Sequence, residues 1–153
     1  MLRRFAPLLL APLLGSCQPP EILVHAAFVE GALAFVSAKG GDGGNHCWKD
    51  AVVVDDSLKP AWSFTHPGLG ECRGVLPIFY GRPPRGGSTA VAPRPLEPGR
   101  LYLFVGDATA ELSGAFALSR AGRGLVVHNV DPDSPAADAL RRRWRASLGG
   151  GPG

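Results

Sequence analysis

Short runs in which apolar residues alternate with polar or small residues recur along the chain between residues 21 and 133. Runs of this length with a two-residue period are typical of β-strands, and turn-forming residues separate them. The predicted strands are 22–28, 32–36, 48–54, 61–65, 75–80, 101–105, 113–119 and 124–130, and a short strand near 89–92 is predicted within the loop 81–100. We therefore expect an all-β fold over residues 21–133: a small antiparallel β-sandwich, immunoglobulin-like or barrel-like, of seven to eight short strands.

Several of the segments between strands have the residues of tight turns. Glu30-Gly31 lies between two predicted strands, and Gly31 permits the positive φ that a two-residue hairpin needs. Residues 55–57 (Asp-Asp-Ser) form a second turn cluster. Pro77 interrupts the segment 75–80 and has no N–H to donate, so that strand is predicted to lie at a sheet edge or to contain a bulge.

The pattern changes to a helical period after residue 133. Ser134 can cap a helix, Pro135 suits its first turn and Gly149 suits its end. Apolar residues recur at every fourth position on one face of the helix: Ala136, Leu140, Trp144 and Leu148. Arginines occupy the remaining surface: Arg141, Arg142, Arg143 and Arg145. We predict an amphipathic C-terminal helix at 134–148 and a disordered tail at 149–153. The helix either packs on the sheet or lies on anionic lipid or a partner.

The composition agrees with short strands and argues against nucleic-acid binding. The chain has 21 glycines and 15 prolines, and its charged fraction of 19% is below the usual quarter. Six of the 16 basic residues lie near the two ends, which leaves 10 basic residues against 13 acidic ones between them. A nucleic-acid-binding surface needs a basic stripe on the folded domain, so we expect no nucleic-acid partner.

The first 16 residues have the pattern of a secretion signal. Arg3 and Arg4 precede an apolar run at residues 5–14, which Pro7 and Pro12 interrupt. This run is too short to span a bilayer, since a spanning helix needs about 20 apolar residues. Residues 1–16 are therefore predicted to be a signal peptide.

Leu14-Gly15-Ser16-Cys17 resembles the lipobox of bacterial lipoprotein precursors. The resemblance covers about the first 20 residues and carries no implication for the fold of the rest. It implies that Cys17 receives a diacylglycerol and becomes the first mature residue, with residues 17–20 as a lipidated tether. Gln18, where Asp would favour the inner membrane, implies the outer membrane facing the periplasm. The alternative is an ordinary cleaved signal with Cys17 near the cut.

With Cys17 assigned to lipid, Cys47 and Cys72 remain as an even pair. An exported protein folds in an oxidising compartment, where disulfides form and persist. A bridge between the two closes a loop of about 25 residues and contributes about 3 kcal/mol in the chain-entropy model. We predict this disulfide; the alternative, a metal pair with His46, lacks the tight cysteine spacing of zinc sites.

Catalytic motifs are absent from the sequence. It contains neither G-x-S-x-G nor H-E-x-x-H, and the glycine-rich segment 39–46 matches neither a phosphate loop nor a calcium loop. His46 and His66 flank the disulfide loop and could meet in space, with Asp42 or Glu71 completing a metal or acid–base group. The default expectation is that they do not form a catalytic site.

The remaining titratable candidates are expected to be structural or solvated. His25 and His128 fall within predicted strands, which favours structural roles. Asp107 and Glu111 flank a turn, where solvated carboxylates are the ordinary case and a functional carboxylate pair is the alternative. No cofactor and no metal are predicted.

These patterns favour a non-enzymatic cell-envelope lipoprotein, a membrane-tethered β-sandwich that binds or supports an envelope component. Its expected contacts are the membrane, through the lipid anchor, and an envelope protein. The loops at 39–46 and 81–100 are the expected recognition surface, because rigid sandwiches carry variable loops at their ends. One alternative is an inhibitor or accessory subunit of an envelope enzyme. Another is a small metal-binding protein or hydrolase that uses His46 and His66.

Overall fold

The computed structural model of the protein describes residues 20–68, 72 and 74–149. It contains strands β1 (Glu21–Val29), β2 (Ala32–Ser37), β3 (Asp50–Asp55), β4 (Pro60–Thr65), β5 (Ile78–Phe79), β6 (Ser88–Val91), β7 (Leu101–Asp107), β8 (Glu111–Ala121) and β9 (Gly124–Val130), and one helix, α1 (Pro135–Gly149). The predicted signal peptide, Cys17, most of the tether and residues 150–153 lie outside the described residues. No helix among the described residues has the length and hydropathy needed to cross a membrane.

The strands form one curled sheet in the order β5-β2-β1-β8-β7-β3-β4-β6, and β9 pairs with β8 beside β1. Every strand pair is antiparallel except β1 with β8, which is parallel. The prediction of an all-β fold with a C-terminal helix is confirmed. The parallel pair is the departure from the all-antiparallel expectation, and it joins two segments about 90 residues apart.

Strand β1 belongs to two layers because it leaves β8 after three paired residues. At Gly114 the two backbones are so close that a Cβ would overlap the carbonyl oxygen of Val24. Beyond this point β9 pairs with β8. The side-chain amide of Asn129 on β9 makes the two backbone hydrogen bonds to β1 that a neighbouring strand would otherwise make. Ala26 N donates to Asn129 Oδ1 at 2.7 Å, and Asn129 Nδ2 donates to Ala26 O at 2.9 Å.

The layer formed by β1, β2 and β5 covers one face of the main sheet with an aromatic core. Phe35 on β2 stacks on Phe104 of β7 at 4.3 Å and meets Phe116 of β8 edge-on at 5.7 Å. The ring of Tyr102 stacks on Phe116 at 5.4 Å between ring centres. Burial of these large rings contributes roughly 1.5–3 kcal/mol to folding for each side chain.

Tyr80, directly after β5, closes the curl of the sheet. Its hydroxyl lies 2.9 Å from the carbonyl oxygen of Ala61 on β4 and 2.8 Å from that of Arg94. Its ring packs edge-on against Trp62 at 5.5 Å. Burial raises the pKa of Tyr80 to about 12, so the phenol remains a neutral donor.

Helix α1 packs on the opposite face of the main sheet. Ala137 and Leu140 are buried there, and Trp144 lies partly buried beside them. Ser134 caps the helix as predicted, its Oγ accepting a hydrogen bond from Ala137 N at 3.4 Å. The predicted apolar face is wrong by one position at its start, because Ala136 is exposed and Ala137 is buried. Of the two interpretations of the helix, the structure shows the one in which it packs on the sheet.

The predicted turns at 30–31 and 55–57 are present, and the second is built around a buried carboxylate. Asp55, 2% exposed, accepts hydrogen bonds on Oδ1 from Ser57 N, Ser57 Oγ and Lys59 N at 2.7–2.9 Å. Its Oδ2 accepts from Arg94 Nη2 at 2.6 Å. Burial by itself would raise the pKa of Asp55, but these hydrogen bonds outweigh it and lower the pKa to about 2.

The ionised form of Asp55 stabilises the fold, so stability should fall with acid. Because the folded pKa, about 2, is below the ordinary value of 3.8, this contribution is complete above about pH 5 and is lost as the pH falls through 3.8 toward 2. Its size is on the order of 2 kcal/mol. Asp55→Asn should remove it, lowering the urea midpoint at pH 7 and flattening the pH dependence below pH 4.

The control is Asp56→Asn on the neighbouring exposed residue, whose carboxylate pairs with Arg100 at 3.0 Å. An exposed pair contributes about 0–1 kcal/mol, so this variant should keep the acid dependence of the parent. Equal losses from the two substitutions would contradict the role assigned to Asp55.

The crossing at Gly114 predicts a second stability difference. Gly114→Ala should lower the free energy of unfolding by more than about 3 kcal/mol or prevent folding, because the new methyl overlaps a backbone oxygen rather than a movable side chain. Gly124→Ala is the matched control, since its Cβ would lie 3.6 Å from Ala121 O, an ordinary contact. Its effect on the urea midpoint should be small, and a similar loss in both would refute the explanation.

Candidate functional site

The two loops predicted as a recognition surface meet at one pocket, which we call the basic pocket. It encloses about 670 Å³. The segment before β3 contributes His46 and Trp48, and the segment after β4 contributes His66. The remaining wall comes from residues 74–79 and from the proline-rich segment 82–86. The loop at 81–100 therefore lines the pocket with residues 82–86, and the loop at 39–46 lines it with its last residue, His46.

Trp48 forms the floor of the basic pocket. It is 8% exposed, and its Nε1 donates to the carbonyl oxygen of Val75 at 3.3 Å. Its ring packs edge-on against Phe64 at 5.2 Å, and Gly106 leaves room for it on the sheet. The sequence prediction placed Trp48 within a strand; the strand begins two residues later, so the indole lies at the end of the sheet, where it lines a pocket.

The predicted disulfide between Cys47 and Cys72 is present, with the two Cα atoms 4.4 Å apart. Next to it, Asn45 and Gly74 form an isolated antiparallel bridge. Leu76 N also donates to Asp42 O at 2.9 Å. These three connections join the segment before Trp48 to the segment that carries Val75, and so fix one wall of the pocket.

The structure brings His46 and His66 to the same pocket, as the sequence suggested, but gives each ring a local partner. His46 Nδ1 lies 3.3 Å from Thr109 Oγ1. His66 Nδ1 lies 3.1 Å from Gly68 O, and His66 Nε2 lies 3.2 Å from Arg85 O. A ring nitrogen that faces a carbonyl oxygen as a donor has no lone pair available for a metal. His66 thus connects two loops of the pocket wall.

The other members proposed for a His46–His66 group do not complete one. Asp42 Oδ1 accepts from Gly44 N at 3.0 Å, and Glu71 lies outside the described residues. Among residues 20–68, 72 and 74–149, no set of three His, Cys, Asp or Glu side chains has a geometry suited to a metal ion.

Arg82 and Arg85 give the pocket its charge. Both are exposed, and the Arg82 guanidinium carbon lies 5.6 Å from the ring centre of Phe79. The described residues that line the pocket include two arginines and two histidines but no Asp or Glu. Exposed cations above an apolar floor attract an anionic group and leave its apolar portion a surface to contact.

Comparisons with protein-family models, curated proteins and solved structures found no match for this chain. The function is therefore inferred from its own residues.

The remaining candidates from the sequence lie away from the basic pocket. Asp107 and Glu111 face each other across the β7–β8 pair, but each is bonded to a different cation. His128 Nε2 lies 2.6 Å from Ser119 Oγ on the β8–β9 hairpin, and His25 lies within β1. Sequence reasoning missed Trp48, Arg82 and Arg85 as members of one site, although the enrichment of Pro and Arg at 81–100 had indicated the loop.

The disulfide should stabilise the domain by about 3 kcal/mol, since it closes a 25-residue separation. The double variant Cys47→Ser, Cys72→Ser should have a correspondingly lower urea midpoint than the oxidised parent. Adding reductant should lower the parent to the level of the variant and leave the variant unchanged. An oxidised parent that unfolds at the same midpoint as the variant would contradict this.

Proposed function

We propose that the protein is a cell-envelope lipoprotein whose tethered β domain binds an acidic segment of an envelope protein through the basic pocket. The observation that carries the proposal is the pocket itself: four basic or ionisable side chains, an apolar floor and no carboxylate among its described lining residues. Formal charge over the rest of the domain is balanced or slightly acidic, so this local concentration of positive charge differs from its surroundings.

The rigidity of the pocket backbone supports a binding role. Gly87 N donates to Pro84 O at 2.9 Å, and Arg82 N donates to Phe79 O at 3.0 Å, so two tight turns hold the segment that carries both arginines. His66 fastens the same segment through Arg85 O. A loop fixed before binding loses less conformational entropy when a partner arrives, which favours affinity.

The proposed location rests on the resemblance of residues 14–17 to a lipobox. If Cys17 carries lipid, only three residues separate the anchor from the start of β1 at Glu21. Such a short tether would keep the domain at the membrane surface, where it could reach only partners in the same membrane or close to it. Stable attachment needs more than one acyl chain, which lipidation of this type supplies.

The basic pocket is tested with a deca-glutamate peptide that carries a neutral fluorophore, by fluorescence anisotropy at low salt. We expect saturable binding that weakens with added salt, because exposed charges are screened. The double variant Arg82→Glu, Arg85→Glu should weaken binding by about tenfold or more.

The matched control is Arg120→Glu, Arg123→Glu, which makes the same change in net charge at two exposed arginines of the β8–β9 hairpin. It should leave the affinity within about twofold of the parent. Equal weakening by both double variants would show attraction by net charge alone and would refute a site at the basic pocket.

The anchor is tested by the intact mass of the protein extracted from its own membranes. The expected mass is that of residues 17–153 plus lipid, and Cys17→Ala should abolish both the added mass and the membrane association. An unlipidated mass that retains residues 1–16 would refute the proposed location without bearing on the pocket.

A further inference from the structure

A second groove lies between the C-terminal half of α1 and the main sheet, and we call it the helix groove. It encloses about 580 Å³. Its apolar surface comes from Val105, Ala110, Trp144 and Leu148. Leu148 is 67% exposed, so this edge of the groove can move without loss of core packing.

Six charged side chains line the helix groove, and four of them neutralise one another. Lys49 Nζ lies 3.3 Å from Asp107 Oδ2, and Arg145 Nη2 lies 2.8 Å from Glu111 Oε1. The second pair links α1 to the sheet across the groove. Two side chains of opposite charge, Asp50 and Arg141, remain.

The carboxylate of Asp50 has no hydrogen-bond or ion-pair partner among the described residues. It lies on the first residue of β3, opposite Asp107 in the β3–β7 pair. Burial and the charge of Asp107 raise the pKa of Asp50, against the weaker opposing effect of Lys49. Asp50 is exposed, so a cationic ligand group can reach its carboxylate and would oppose both effects by stabilising the charged form.

The guanidinium of Arg141 presents an unpaired hydrogen-bonding edge. Its Nε and Nη2 are shielded from solvent and have no acceptor within the described part of the chain. These two nitrogens lie on the same side of the guanidinium and form a fork that matches the two oxygens of a carboxylate. Buried donors without acceptors are rare in folded proteins, so this edge of Arg141 is the candidate position for a ligand acceptor.

We propose that the helix groove binds a short peptide with free termini, its ammonium group at Asp50 and its carboxylate on the Arg141 fork. The apolar side chains of the peptide then contact Trp144 and Leu148. A ligand carboxylate can pair with the fork only by displacing the protein atoms that cover these two nitrogens, and Leu148, which lines the groove and is largely exposed, is free to move. A peptide uses both unpaired charges, whereas a fatty acid would use only Arg141 and a simple cation only Asp50.

The experiment titrates the full domain with Ala-Leu, Ala-Leu-Ala and Ala-Leu-Leu-Ala by isothermal calorimetry. Each peptide is tested free, N-acetylated and C-amidated, with laurate and a divalent cation as comparisons. One length of free peptide should bind with saturation, and either cap should weaken it at least tenfold. Binding of laurate alone, of the cation alone, or of capped and free peptides equally would overturn the proposal, as would the absence of binding for all peptides.

Two substitutions assign the ends of the peptide. For Asp50→Asn, N-acetylation of the peptide should no longer weaken binding, whereas C-amidation should still weaken it. For Arg141→Gln, C-amidation should no longer weaken binding, whereas N-acetylation should still weaken it. Matched controls are Asp133→Asn and Arg142→Gln, both at exposed positions. In these variants both N-acetylation and C-amidation of the peptide should still weaken binding.

If a groove variant fails to fold, binding of the capped and free peptides to the parent protein still decides the outcome. Arg82→Glu, Arg85→Glu should leave peptide binding unchanged, which separates this site from the basic pocket.

Discussion

The close passage of β1 over β8 at Gly114 is the constraint on which the two-layer core depends. Because no side chain projects from Gly114, the backbone at Val24 can lie directly on β8 and turn away from it. The rest of β1 then pairs with β2, and this hairpin carries Phe35 onto the rings of Phe104 and Phe116. A wider crossing would separate the layers and leave these aromatic side chains without close partners, at a cost in both burial and dispersion contacts.

A second set of contacts holds the far end of the curled sheet in place. Asp55 fixes Arg94 by a short ion pair, and the carbonyl oxygen of Arg94 lies beside the hydroxyl of Tyr80. Tyr80 in turn follows β5, which pairs with β2. The buried carboxylate at the β3–β4 turn is therefore linked through Arg94 and Tyr80 to the layer formed by β1, β2 and β5. Such a chain of polar contacts is favourable because each member has its partner; an unpaired buried charge in the same place would destabilise the fold.

Local patterns in the sequence predicted most of the strands, the Glu30-Gly31 turn, the capped helix and the disulfide between Cys47 and Cys72. The strands follow from a two-residue period, the turn from a glycine with positive φ, and the helix from Ser134 and a four-residue apolar period. The disulfide follows from the two cysteines that remain once Cys17 is assigned to lipid. The parallel β1–β8 pair has no such signal, since it depends on the absence of a side chain at Gly114 and on an amide at Asn129 about 100 residues from its partner. Arg141 was predicted to lie on the polar surface of the helix, because no short-range pattern in the sequence indicated otherwise. Helical spacing cannot show that a long side chain on the border of the apolar face has two guanidinium nitrogens shielded from solvent.

The basic pocket and the helix groove use charge in different ways, and this difference sets what each can recognise. Arg82 and Arg85 are exposed and unbalanced, so their attraction acts over several ångströms, weakens with salt and mainly increases the rate of encounter. In the helix groove the Arg141 fork is shielded from solvent and the other charges are largely paired. A ligand there must satisfy the fork geometrically, because a poor acceptor would leave the same donors buried and unpaired. The pocket is therefore suited to attracting an acidic surface, and the groove is suited to selecting a ligand by the position of its end groups.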